Sequence, residues 1–304
     1  ATTTGTVKML SNTTISTTVT IASNKNITLN LNGKTIAGAS KVVTIRNAGY
    51  LTITGNGTIS QINADCIYND SSGSVAVYSG TLKGTSGWTV YNEGNIAVYG
   101  GSIQHGGSGT GSAVMNTKKF VITGGSITST EYGVVNRGKK PEFIVANNVT
   151  IQTTGSAKNA IQNDAGTTTI INSTVKATQS TSNAICNNTS NYTDVIIKSR
   201  ASNYGISGFI FGKVLATTNS SNGQAQENIT IYNTGYTSLF WPTWTIKNDQ
   251  DDITWDITTN SSGTHTYTVK KSAHNNETGA YNVHIYVNNN GVANPIIANI
   301  GLTF

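Results

Sequence analysis

The sequence predicts an all-β chain: a parallel β-helix of about nine rungs over residues 1–235, followed by a small β-sandwich-like domain over residues 236–304. Three observations carry this. Asparagine recurs at a near-constant interval, each time with an apolar residue two positions before it. Thr, Asn, Ser and Gly fill most polar positions, the vocabulary of strands and turns. Only 11% of the 304 residues are charged, too few to solvate the outer faces of several helices, which excludes a helical bundle. Disorder is excluded as well, because the 36% of residues that are apolar recur in spaced β-branched triplets such as Val75-Ala-Val77. No run of about 18 apolar residues offers a membrane-spanning helix, and Ala1-Thr-Thr-Thr reads as a trimmed start.

Taken in order, Asn26 to Ala39 supplies an alternating strand and a cap rung. The repeat follows, with Asn47, Asn69, Asn92, Asn116, Asn136, Asn163 and Asn187 spaced by 20 to 27 residues. Two residues before each stands Ile45, Ile67, Val90, Val114, Val134, Ile161 or Ile185, and three before stands a small or modest side chain. Each Asn precedes a polar loop, a second apolar-x-apolar run and a glycine corner, as in VAVYSGTL and IAVYGGSI. Three short strands per repeat describe one rung of a parallel β-helix, stacked at about 4.8 Å. The Ile/Val column then fills the bore, and stacked asparagines pass amide hydrogen bonds between rungs, which is a structural role. Residues 190–235 carry a fading version of the pattern, as terminal rungs do.

Five rungs separate Cys66 from Cys186, roughly 24 Å, so both are expected as free thiols in ordinary packing columns. Charge divides unevenly: residues 1–235 hold 16 Lys+Arg against 8 Asp+Glu, whereas 236–304 hold 3 against 5. The helix is therefore basic and the tail mildly acidic and aromatic-rich, with Trp241, Trp244 and Trp255.

Residues 20–235 resemble the right-handed parallel β-helix superfamily that includes pectate lyases, and NITLNLNGKTIAG resembles the opening rung of bacterial surface β-helix proteins. In the tail, Trp244-Thr-Ile-Lys-Asn-Asp-Gln-Asp-Asp-Ile-Thr-Trp255 and the stretch from His274 to Tyr286 are similar to the GBS Bsp-like repeat over about residues 237–304. That resemblance implies an extracellular, wall-associated protein of a Gram-positive bacterium, joined to other domains, and carries no catalytic residues with it. His274 and His284 are read as structural, since no Cys/His set stands at metal spacing; no metal and no cofactor is expected.

Enzymes on this architecture cluster acids on one face. The weak candidates are Asp70 and Glu93, each directly after its ladder Asn and so about 5 Å apart in adjacent rungs, with Asp65 upstream. A solvated loop pair is the alternative. His105 lies in a glycine corner with no carboxylate fixed beside it. For binding, Tyr68 and Tyr91 precede their ladder asparagines and point outward, flanked by Arg46 and Met115, and Tyr78 and Tyr99 repeat the arrangement in the next strand. Such pairs either receive sugar rings or shield the sheet. Lys118, Lys119, Arg137, Lys139 and Lys140 gather on one edge, partly offset by Glu142, and suit a polyanion such as acidic polysaccharide, mucin or a cell-wall polymer, or serve solubility alone. No basic-aromatic module for nucleic acid is present. The expected function is an adhesin-like glycan binder without catalysis; the alternatives are a polysaccharide lyase or glycoside hydrolase using Asp70 and Glu93, and a passive stalk.

Overall fold

The computed structural model describes residues 3–107, 111–171, 173–179, 181–187, 194–198, 206–207, 213–219, 226–232, 237–261, 265–289 and 292–303. Among these the chain is all β, with one 3-10 turn at Lys271–Ala273 and no α-helix. A parallel β-solenoid comes first. Its three faces are sheets of parallel strands running from Thr4–Lys8 to Asp194–Lys198 (sheet 1), from Thr13–Ile15 to Thr174–Ala177 (sheet 2) and from Val19–Ile21 to Ile206–Ser207 (sheet 3), with nine, eight and nine strands. The coil begins earlier than the sequence suggests: Thr4–Lys8 pairs with Asn26–Asn30, so a full coil precedes the stretch read as a cap. Its first two strands, Thr-Gly-Thr-Val-Lys and Thr-Thr-Ile, lack the apolar alternation that marks the later ones. The bore opens there into an apolar cavity of about 520 Å³ lined by Val7, Ile15, Val19 and Ile21 among others.

Register follows the asparagines. Asn47, Asn69, Asn92, Asn116, Asn136, Asn163 and Asn187 pair in one unbroken column of sheet 3. The Nδ2 of each of the first five donates to the Oδ1 of the next, at 2.8 Å from Asn47 to Asn69, 2.8 Å from Asn69 to Asn92, 2.8 Å from Asn92 to Asn116, 2.7 Å from Asn116 to Asn136 and 2.9 Å from Asn136 to Asn163. The second proton of each amide serves nearby carbonyls, such as Gly73 and Asn95 for Asn69. Asn47 through Asn163 are fully buried, and the ladder pairs these buried amides where the backbone turns, except for Asn47 Oδ1, which at the start of the series accepts no hydrogen bond.

Around this corner the bore is filled column by column. Sheet 3 supplies Ile45, Ile67, Val90, Val114, Val134, Ile161 and Ile185, all buried. Sheet 2 supplies Ile59, Leu82, Ile103, Ile127 and Ile151; sheet 1 adds Leu51, Val75, Ile96 and the Phe120–Phe143 pair, centroids 5.8 Å apart. Each such side chain contributes about 1.5–3 kcal/mol by leaving water. The column three before each Asn is also buried, which explains its small residues: a Cβ at Gly133 would collide with the Ala160 carbonyl. The YSG, YGG and TGG corners stack Gly80, Gly101 and Gly125 at φ of +95°, +86° and +88°, a region in which a side chain is strained. Cys66 and Cys186 are free thiols. Cys66 donates to the Lys83 carbonyl, and burial pushes its thiol well up, so it behaves as an inert core residue.

Beyond the solenoid the sheets turn antiparallel. Val292–Thr303 adds parallel to Asp194–Lys198, extending sheet 1, and then pairs antiparallel with Ala280–Asn289, which is followed by Ser238–Thr245 and Thr254–Thr259. Lys213–Asn219, Gln226–Tyr232 and His265–Lys270 form a second antiparallel sheet. Residues 213–219 and 226–232, read from sequence as fading rungs, thus sit with the C-terminal strands, because an alternating strand such as Asn228-Ile-Thr-Ile-Tyr does not reveal whether its partner runs parallel. The two sheets meet where buried Trp241 stacks on Tyr267 at 5.0 Å, its indole N–H donating to Thr258 Oγ1 at 2.8 Å.

Asn92→Ala breaks the ladder in both directions, leaving Asn116 Oδ1 without its donor and Asn69 Nδ2 without one acceptor. Destabilisation of roughly 3 kcal/mol is expected from stranding buried polar groups, read as a shift of the urea midpoint; a change below about 0.5 kcal/mol means that the ladder does not hold the coils together.

Candidate functional site

An outward column of sheet 3 holds one of the two tyrosine pairs singled out from sequence. Arg46, Tyr68, Tyr91 and Met115 stand in register on consecutive coils. Tyr68 and Tyr91 stack with centroids 4.9 Å apart and planes 12° from parallel. The Arg46 guanidinium lies over the other face of Tyr68, 5.1 Å from its centroid, so both faces of that ring are taken. Trp88 leans on Tyr91 at 6.3 Å. Burial and a hydrogen bond to Glu93 push the Tyr68 phenol up to about 12. This stack is closed to sugar rings on the Tyr68 side.

Asp70 and Glu93 do occupy matching positions on adjacent coils, their backbone N–H groups donating to Asn47 and Asn69. Asp70, however, is held by Arg46 in a forked ion pair, Nε to Oδ2 at 3.0 Å and Nη2 to Oδ1 at 2.9 Å. A carboxylate so engaged is a poor partner for a shared proton or a cation. Asp65 stands apart from them. It accepts the Trp88 backbone N–H at 3.0 Å, and burial, the larger effect, pushes its carboxyl up to about 6.

The basic residues lie on neighbouring coils, as the spacing implies, yet much of their charge is answered locally. Lys119 pairs with Glu142 at 2.8 Å, and Arg137 Nε bonds Asp164 at 2.9 Å. Lys118 Nζ donates to the Ser71 carbonyl at 2.9 Å. Lys139 and Lys140 stay exposed. Asp164 escaped sequence reasoning although its signal was present: it directly follows ladder residue Asn163, in the column of Asp70, Glu93 and Arg137.

Sheet 1 carries a different arrangement. Tyr78 and Tyr99 stack at 4.9 Å and 22° and remain 54% and 51% exposed. Their column continues into Thr54 and Thr123, whose side chains are too short to cover the outer ring faces. Two residues earlier on each strand, Thr52, Ala76, Ala97 and Val121 stand in register. They floor an open groove of about 380 Å³, bordered by Tyr50, Ser74, Asn95 and Lys119. Sequence reasoning passed over this groove, whose only trace is alanine at the outward position of two consecutive coils.

The C-terminal strands hold two edge-on aromatic pairs, Trp255 with Tyr286 at 5.6 Å and Trp244 with His284 at 4.6 Å. Burial lowers the affinity of His284 for a proton. His274 is buried, its Nδ1 3.1 Å from the Asp252 carbonyl, which suits a structural role. His105 is buried too, beside Thr89, and burial depresses its pKa against the weaker pull of Glu131.

Asp65 yields a test of these electrostatics. Its folded pKa, about 6, lies above the ordinary value of 3.8, so the fold prefers the neutral carboxyl and loses stability as pH rises from 3.8 to 6. Asp65→Asn keeps the acceptor for Trp88 and removes that loss. The variant is expected to be more stable than the parent at pH 7.5 by about 2 kcal/mol, after allowance for partial exposure. The gain should shrink below pH 6 and vanish near pH 4; an equal difference at all pH values excludes the desolvated carboxyl.

Residues 216–299 match the GBS Bsp-like repeat. The match thus begins within the strand Lys213–Asn219 and runs into Val292–Thr303. No curated protein and no solved structure matches the chain. No family match supports the solenoid's resemblance to the pectate-lyase superfamily; the match is confined to the C-terminal segment, a GBS Bsp-like repeat in a chain that also folds a parallel β-solenoid.

Proposed function

We propose that the solenoid is a carbohydrate-binding surface of an exported, adhesin-like protein. The observation that carries this reading is the Tyr78–Tyr99 stack, two large aromatic rings left half exposed side by side on a regular sheet. Burying such rings gains free energy, and sugars offer the apolar faces and polar rims that match a tyrosine. The neighbouring groove widens the surface available. Neutralisation of Lys119 and Arg137 by Glu142 and Asp164 favours neutral sugars over polyanions. Similarity of the C-terminal strands to the GBS Bsp-like repeat supports a location on the outside of a Gram-positive cell. The lyase or hydrolase reading draws less support, since the Arg46 fork occupies Asp70.

Titration against neutral and acidic glycans at two salt concentrations tests the proposal. Tyr78→Ala combined with Tyr99→Ala is expected to weaken neutral-sugar binding by at least roughly tenfold, with little salt dependence. Lys139→Glu with Lys140→Glu should leave it unchanged. Binding that instead collapses as salt rises, and with the lysine variants, points to a polyanion edge screened over about 10 Å at 0.1 M. Absence of glycan binding by the parent leaves the stalk.

A further inference from the structure

We infer that the groove on the outer face of sheet 1 seats a linear, uncharged polysaccharide lying along the solenoid axis, about one sugar ring to each coil. This rests on the carbohydrate-binding reading and assigns it a place and a ligand shape.

The groove exists because of a size contrast between columns. Ala76 and Ala97 are flanked on each strand by Ser74 and Asn95 on one side and by the Tyr78–Tyr99 stack on the other. Thr52 and Val121 extend the floor by one coil in each direction. The trough therefore runs across the strands, parallel to the axis, and repeats at the coil spacing of about 4.8 Å, comparable with the advance of a pyranose chain.

Its chemistry is that of a sugar site. Methyl groups of Ala76, Ala97 and Val121 meet the apolar face of a ring. The lining is almost wholly apolar, and Ser74 and Asn95 stand at its border as the nearest residues able to hydrogen-bond a ring's hydroxyls. Tyr50, exposed, continues that border beside Thr52. The one ionic side chain on the border, Lys119, is paired with Glu142 at 2.8 Å, so the trough offers no net charge and complements an uncharged chain. An extended peptide fits less well. Peptides bind sheets through free edges, whereas the strands beneath this groove are hydrogen-bonded on both sides.

The experiment uses the full chain and linear neutral gluco- and manno-oligosaccharides of increasing length, followed by calorimetry. Affinity is expected to rise with each sugar and level off at about four, one for each coil of the floor. Ala97→Trp fills the trough while leaving Tyr78 and Tyr99 in place, and is expected to cost at least tenfold in affinity with an unchanged melting temperature. Ala76→Gln, a smaller obstruction, should give a partial loss and guards against a folding defect in the tryptophan variant. If oligosaccharides bind the parent and both variants equally, the groove assignment is overturned while the carbohydrate reading stands. Failure of any neutral sugar to bind the parent overturns both. A dimer in sedimentation that Ala97→Trp dissociates assigns the groove to a second copy of the chain and also overturns the inference.

Discussion

One buried contact sets the geometry of the solenoid: the side-chain amide of a ladder asparagine donating to the carbonyl of its counterpart one coil on. Apolar packing alone excludes a one-residue slip, which would turn the bore-facing side chains outward, but it discriminates weakly against a slip of two, since Ile, Val and Leu are similar in bulk. A primary amide is less forgiving, because each buried Asn has two donors and an acceptor to satisfy at a corner where the backbone itself cannot. With Asn47 through Asn163 bonded in series, each coil is held at one rotation and one height. The aliphatic columns then supply the bulk of the stabilisation, and the left-handed glycines at Gly80, Gly101 and Gly125 let the chain turn between sheets 1 and 2.

Fixed register on the inside dictates columns on the outside, and it is there that the two tyrosine pairs part company. Tyr68 and Tyr91 belong to a column capped by Arg46 and bordered by carboxylates, so their rings and charges satisfy one another. Tyr78 and Tyr99 belong to a column of threonines and are stacked only on each other, beside small floor residues. Identical stacking distances thus produce one self-contained patch and one open surface. Loop charges follow the same logic, with Arg137 and Asp164 meeting because both directly follow a ladder asparagine.

What was legible in the sequence was whatever repeats with the coil. The asparagine, the Ile/Val column, the separation of the cysteines and the outward tyrosines all follow from counting, because one period maps onto one physical spacing. Less periodic features were not legible. The first coil keeps the apolar alternation only in Val19-Thr-Ile21, its other strands being Thr-rich, and the pairing of residues 226–232 with 265–270 depends on contacts that alternation does not encode. The groove is a property of three adjacent columns, visible only once Ser74, Ala76 and Tyr78 are set beside Asn95, Ala97 and Tyr99. Asp65 likewise gave no sequence sign of its desolvated state, which comes from its burial in the folded chain.

All of this depends on the ladder being made and buried in solution. Hydrogen exchange of the asparagine side-chain amides, followed by NMR, reads it directly. The Nδ2 protons of Asn69, Asn92 and Asn116 should exchange as slowly as the backbone amides of the strands beside them, while those of exposed Asn56 exchange freely. Side-chain amides of the ladder that exchange as fast as those of Asn56 would contradict the account, for the coils would then share no fixed register and the outer columns no fixed neighbours.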